Sequence, residues 1–202
     1  PRLPFRAAGL AIGLWFLSLV SPARAIIFFS TADPAHNTTE PSGALAGSGW
    51  QWEGTWGGFT GTPVAEHYFL SAQHIGGAVG DAFVFRGKTY VTTACFDDPQ
   101  SDLRLWRINE SFPDWAPLHR KNDETGKALV VFGRGLGRGS EVRVNNVLKG
   151  WQWGGGGGVL RWGRNTISGF ANGPSVTNGL LRVAFDASGG DDEAHMALGD
   201  SA

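Results

Sequence analysis

Residues 81–96 read DAFVFRGKTYVTTACF. Phe, Val, Tyr and Thr crowd both halves of the stretch, and such branched and aromatic side chains suit a pleated, half-buried surface. Between the halves lies Phe85-Arg86-Gly87-Lys88, whose glycine permits the tight turn of a β-hairpin. The stretch therefore reads as two antiparallel strands rather than one helix, and it sets the expectation for the whole chain.

Neighbouring segments repeat the pattern. HYFLSA (67–72) and LRLWRI (103–108) are short apolar runs set off by Gly, Asp and Pro, so with residues 81–96 they form one compact β unit. The segment NESFPDWAPLHRKNDETG (109–126) then breaks the pattern with two prolines and a cluster of charges, as a connection between units does. Strand signals resume in KALVVFG (127–133), SEVRVNNVLKGWQW (140–153), GVLRWGRNTIS (158–168) and LLRVAFDA (180–187). The chain is accordingly divided into a first β unit over 49–115, a linker over 116–126 and a second β unit over 127–202. Residues 26–48 are polar and turn-rich and form an extended lead-in. The five glycines 154–158 read as a mobile hairpin loop. The tetrapeptide GWQW occurs at 49–52 and 150–153, with nothing alike around the two copies, so the repeat is taken as chance.

Composition supports an all-β class. Of 202 residues, 31 are glycine, about twice the usual share, while charged residues make up only 17%. The formal charge of −1 gives no basic surface of the kind that displaces counterions from phosphates, so nucleic acid is not expected as a partner. Cys95 is the only cysteine, which excludes an intrachain disulfide and a cysteine-based zinc cage. No metal or cofactor is expected.

Residues 1–25 are of another kind. Arg2 and Arg6 precede a 14-residue apolar run from Ala7 to Val20, and SPARA (21–25) places Ala23 and Ala25 in the small-residue cleavage pattern. The run is short of the roughly 18–20 residues that cross a bilayer. It reads as a secretory signal peptide, with export to the periplasm or the medium and no stable membrane insertion after cleavage; a retained anchor is the alternative. Cleavage after Ala25 removes three arginines and no acid, leaving 14 basic and 18 acidic residues.

Three segments carry candidate chemistry. In FLSAQHIGG (69–77), His74 follows a short strand and precedes a glycine turn. In SDLRLWRI (101–108), Asp102 stands at a strand entrance, with Asp97 and Asp98 as nearby rivals. In GDSA (199–202), Ser201 lies in a glycine turn whose backbone N–H groups can converge on one point, the layout that stabilises an oxyanion. His36, His67, His119 and His195 are assigned structural places.

The order His, Asp, Ser, with the first two in the first unit and the serine in the second, resembles the trypsin/chymotrypsin-like serine proteases, and in particular a secreted bacterial branch. Their SAAHC, DIALL and GDSGG segments correspond here to SAQHIGG, SDLRLWRI and GDSA, over roughly residues 49–202. The resemblance implies two six-stranded β-barrels with the site in the cleft between them. It also implies the roles. Ser201 is the nucleophile, His74 the general base and acid, and Asp102 the residue that orients the imidazole. The N–H groups of Gly199 and Ser201 form the oxyanion hole, and His195, six positions before the serine, lies at the base of the substrate pocket. The substrate would be a protein or peptide.

Departures from the family are equally specific. Ile75 replaces the cysteine that usually follows the histidine. Ala202 stands where the family continues with glycine and further strands, so the resemblance implies a fragment with an incomplete second barrel and a serine lacking its supporting shell. A freed Ile26 ammonium pairing with Asp200, which the same resemblance raises, is disfavoured because IIFF (26–29) lacks the glycines that follow the family's activating residue. The competing reading is a non-catalytic exported binding or scaffold protein on the same fold, its nine tryptophans serving as platforms. An unrelated β-sandwich adhesin is the third.

Overall fold

The computed structural model describes residues 26–155, 158–172 and 179–185 and the backbone of 194–195. They form an all-β protein. In chain order the strands are β1 (Ile27–Phe28), β2 (Gly54–Trp56), β3 (Phe59–Ala65), β4 (Tyr68–Ala72), β5 (Ala82–Phe85), β6 (Lys88–Asp97) and β7 (Leu103–Ile108). These are followed by β8 (Ala128–Arg134), β9 (Arg138–Val144), β10 (Val147–Trp153), β11 (Leu160–Ala171), β12 (Leu180–Val183) and β13 (Ala194–His195).

Strands β2–β7 close into an antiparallel barrel in the order β2-β3-β4-β7-β6-β5. Closure removes the free edges that an open sheet would present. The expected hairpin is present. Arg86 and Gly87 both take positive φ (48° and 75°), the turn whose twist matches the flanking strands β5 and β6.

Alternation along each strand turns one side inward, and the inward side chains are mostly aromatic. Trp56, Phe69, Phe83, Phe85, Tyr90, Trp106, Ile108 and Phe112 make one buried cluster. Phe69 and Phe83 stack at 3.9 Å with their planes 8° apart, and Trp56 packs on Trp106 at 4.7 Å. Room for these rings comes from the facing pair Gly54 and Gly61, since a Cβ on Gly54 would lie 2.2 Å from the Phe83 ring. The Trp106 indole N–H donates to buried Ser71 Oγ at 2.9 Å, so even the polar atom of the core is satisfied.

Beyond the barrel the described strands form three small sheets: β12-β11-β8, the hairpin β9-β10, and the pair β1-β13. Three details differ from the sequence reading, and a fourth is in keeping with it. The lead-in does more than extend, because Ile26, Ile27 and Phe28 are 1%, 5% and 2% exposed and Ile26 and Phe28 pack on Val131 of β8. Residues 140–153 are not one strand. Asn145 and Asn146 adopt φ of 49° and 66° and split the stretch into the β9–β10 hairpin. Asparagine tolerates that left-handed region better than other non-glycine residues. The strands on either side of the glycine run, β10 and β11, belong to different sheets and do not pair as a hairpin. Finally, the two GWQW copies differ in conformation, Trp50–Trp52 being a 3-10 turn and Trp151–Trp153 part of β10, which agrees with chance.

The barrel and the second unit meet along residues 49–55. Trp50 packs edge-on against Phe132 of β8, and Arg134 donates to Thr55 Oγ1 at 3.3 Å. The start of the described chain is fastened by Arg138, which donates to the Phe28 carbonyl through Nε at 2.8 Å and lies 3.7 Å over the Trp151 ring. Trp162 of β11 donates to Thr39 O at 2.8 Å and anchors the rest of the lead-in. Among the described residues no helix is long and apolar enough to cross a membrane.

Candidate functional site

Antiparallel pairing of β4 with β7 sets Ala72 opposite Leu103, so the exit of one strand lies beside the entrance of the other at one rim of the barrel. The pairing runs one step further, with Gln73 N–H donating to Asp102 O at 2.7 Å. His74 and Asp102, 28 residues apart in sequence, are thereby brought into contact. His74 Nδ1 lies 2.5 Å from Asp102 Oδ2, and the His74 backbone N–H donates to Asp102 Oδ1 at 3.0 Å. Both carboxylate oxygens are thus engaged by one residue. An ionised carboxylate only accepts, so the imidazole proton belongs on Nδ1 and Nε2 keeps its lone pair. The ring is 59% exposed and the carboxylate 51%. The arrangement can hold an imidazole in the tautomer that acts as a general base toward an incoming hydroxyl.

The two rival acids are occupied elsewhere. Asp97 pairs with Arg104 at 2.5 and 2.8 Å, and that hydrogen bond holds its carboxyl below the usual range. Asp98 accepts from Ser101 Oγ and the Gln100 N–H, which lower its carboxyl likewise. Three of the remaining histidines have local roles: His36 packs edge-on against Phe28, His67 lies 3.8 Å from Glu66, and His119 bonds Asp123 at 2.9 Å. His119, Asp123 and Glu124 form the one grouping of potential metal ligands among the described residues. Lys127 Nζ already sits 2.8 Å from the Asp123 oxygen that faces His119, so an ammonium occupies the place of a cation.

Gly199 and Ser201, with Asp200, lie outside the described residues. Of His195 only the backbone is described, pairing with Ile27. The site is therefore seen from the barrel side.

The turn after His74 is held from below. Ile75 packs against the barrel core. Trp56 Nε1–H donates to Gly76 O at 3.3 Å. Buried Thr92 has its hydroxyl 3.0 Å from the carbonyls of Ala78 and Asp81 and accepts from Gly80 N–H. Gly77 has φ +104°, and a Cβ there would lie 2.2 Å from Trp56 Cζ2. Gly77→Ala is therefore expected to destabilise the protein by at least about 2 kcal/mol, because a buried ring cannot yield and the backbone conformation itself is unfavourable. Gly76→Ala has a positive φ but open space around it, and costs only about 1 kcal/mol. Thermal melts of the two variants side by side check the difference; equal losses would mean that the Trp56 contact is not what fixes this turn.

A recess of about 310 Å³ is lined by Ile75, the residue after His74, with Trp56, Phe59 and Gly77 as apolar walls and Asp81 at its edge. Two polar residues of consequence escaped the sequence reading. Gln73 aims its side-chain amide into the loop that carries Asp102. Its only sequence signal is that glutamine stands where the SAAHC motif has alanine. Glu53 sits at the seam between barrel and second unit, where burial pushes its carboxyl up from 4.5 to about 7 against the opposing hydrogen bond from Thr62 and the charge of Arg134. No local pattern marks it.

No protein-family model matches the chain, and no curated protein matches it.

Proposed function

We propose that the chain carries the catalytic residues of an exported serine endopeptidase of the trypsin-like kind, with His74, Asp102 and Ser201 as its triad. The observation that supports this is the His74–Asp102 pair, which joins an imidazole Nδ1 to a carboxylate at the rim of a closed six-stranded antiparallel barrel. In this reading the strands β8–β12 and the β1–β13 pair belong to a second barrel. Protein or peptide is the substrate, and no cofactor or metal takes part.

The chemistry follows from the residues. His74 Nε2 takes the proton of Ser201 Oγ as the hydroxyl attacks the scissile carbonyl, and the oxyanion is met by the N–H groups of Gly199 and Ser201. Asp102 keeps the proton on Nδ1 and stabilises the imidazolium. His74 then gives the proton to the leaving amine, and water attacks the acyl-enzyme with the same base assisting. The recess beside Ile75 offers apolar walls to a substrate side chain near the site, and His195 lies at the base of the main pocket.

A fluorophosphonate probe tests this directly on the intact protein. Wild type is expected to be labelled at Ser201, Ser201→Ala to remain unlabelled, and His74→Ala to react more slowly by orders of magnitude. Failure of the folded wild type to react, or equal labelling of Ser201→Ala, would remove the assignment.

A further inference from the structure

We infer that Gln73 is a positioning residue that fixes Asp102 against His74. Its side-chain Nε2 lies 2.8 Å from Asp98 O, 2.8 Å from Ser101 O and 3.0 Å from Leu103 O. Its backbone N–H takes the carbonyl between the last two, Asp102 O, at 2.7 Å. One residue therefore grips three consecutive carbonyls, 101, 102 and 103, on either side of and at the acid itself. The very next residue, His74, receives the carboxylate on both its backbone N–H and its ring.

Three carbonyls converging on one nitrogen form an environment that only a donor can occupy. The amide oxygen of Gln73 cannot take that place, so the orientation of the side chain is fixed by chemistry. Beyond the Ala72–Leu103 and Asp97–Arg104 strand pairs at its base, the loop around it is held by small local bonds. Asp98 N–H donates to Leu103 O at 3.0 Å, Ser101 Oγ–H to Asp98 Oδ2, and Leu103 N–H to Ser101 Oγ at 3.2 Å. None of these connects the loop to β4. Gln73 does, and it belongs to the strand exit that also delivers His74.

Exposure makes the tether matter. Both members of the pair are more than half exposed, so packing does not hold the carboxylate in place, and an exposed ion pair contributes little to holding its own geometry. Without the donor, the carbonyls of 98, 101 and 103 repel one another and the loop opens, which swings Asp102 away from Nδ1. For its kinetic consequence the inference rests on the endopeptidase reading; the hydrogen bonding does not.

The test uses the intact protein with Gln73→Met, which keeps length and removes the donor, and Gln73→Lys, which restores a donor with three N–H bonds for three carbonyls. Two quantities are read: kcat and KM on a peptide substrate, and the tautomer of the neutral His74 imidazole from long-range proton–nitrogen NMR correlations. Gln73→Met is expected to lower kcat by about 10–100-fold, the scale of an ångström-size misplacement, with KM within about twofold, and to convert a single Nδ1–H tautomer into a mixture. Gln73→Lys is expected to recover most of both. A folded Gln73→Met protein with wild-type kcat and wild-type tautomer overturns the inference. Should Gln73→Met fail to fold, Gln73→Lys decides alone: a wild-type imidazole spectrum supports the role, and a folded protein with a mixed tautomer overturns it. If the spectra change as described while no form of the protein cleaves peptides, the positioning role stands and the endopeptidase reading falls.

Discussion

On the proposed endopeptidase reading, Asp102→Asn is expected to lower turnover of a peptide substrate by about 10⁴-fold with little change in KM. The reason lies in which way the new amide must face. His74 contacts the carboxylate twice, and one contact is a backbone N–H that can only donate. The asparagine must therefore present its oxygen to that N–H, which turns its NH₂ toward Nδ1 of the ring. Nδ1 is then forced to accept, the imidazole proton moves to Nε2, and Nε2 loses the lone pair that the proposed general base needs. Folding should be nearly unaffected, because the pair is exposed and such pairs contribute at most about 1 kcal/mol. Steady-state kinetics and the rate of fluorophosphonate labelling measure the effect. Turnover within tenfold of wild type would show that the carboxylate does not govern the tautomer.

That His74 and Asp102 meet was legible in the sequence only through the resemblance to a known pattern. The strands themselves were legible from alternation: Phe83 and Phe85 point inward and Ala82 and Val84 outward, as a period of two requires. What alternation cannot supply is strand order. The barrel steps from β4 to β7 and leaves β5 and β6 to close back on β2, a pairing set by which aromatic faces fit together and not by any neighbour in sequence. The contact of catalytic interest forms at that step. Among the described residues one six-stranded barrel closes, and the later strands form separate small sheets.

The differences have physical origins. Asn145 and Asn146 tolerate positive φ, and this local turn interrupts the strand signal of 140–153. Ile26 and Phe28 looked like the head of a polar lead-in, and their burial depends on Val131, more than a hundred residues away. Gln73 reads as an ordinary polar residue until the loop of 98–103 folds around its amide. The last two depend on backbone groups or partners brought from a distance, which residue patterning does not encode.

Glu53 is the clearest case of that kind, and it predicts a pH dependence of stability. It follows the 3-10 turn of Trp50–Trp52 and is packed at the seam, with Thr62 Oγ1 at 3.5 Å and Arg134 near but not within ion-pair distance of it. Desolvation outweighs both favourable partners and raises the carboxyl from 4.5 to about 7. The folded protein thus holds a proton that the unfolded chain has already released across this interval. Stability from this group is fully present below pH 4.5, declines as pH rises and is lost by about pH 7, a change of roughly 3 kcal/mol. Glu53→Gln cannot ionise, so its stability should follow wild type below about pH 4.5 and exceed it above pH 7 by about that amount, the attraction of Arg134 for the carboxylate being already contained in the net shift. For a chain of this size the difference in melting temperature at pH 8 should be on the order of 5–10 °C. Subtracting the two melting curves across pH removes the contributions of all other titrating groups. If the difference is flat between pH 4.5 and 7, Glu53 is solvated in the folded protein and the seam between the barrel and β8 is not closed over it.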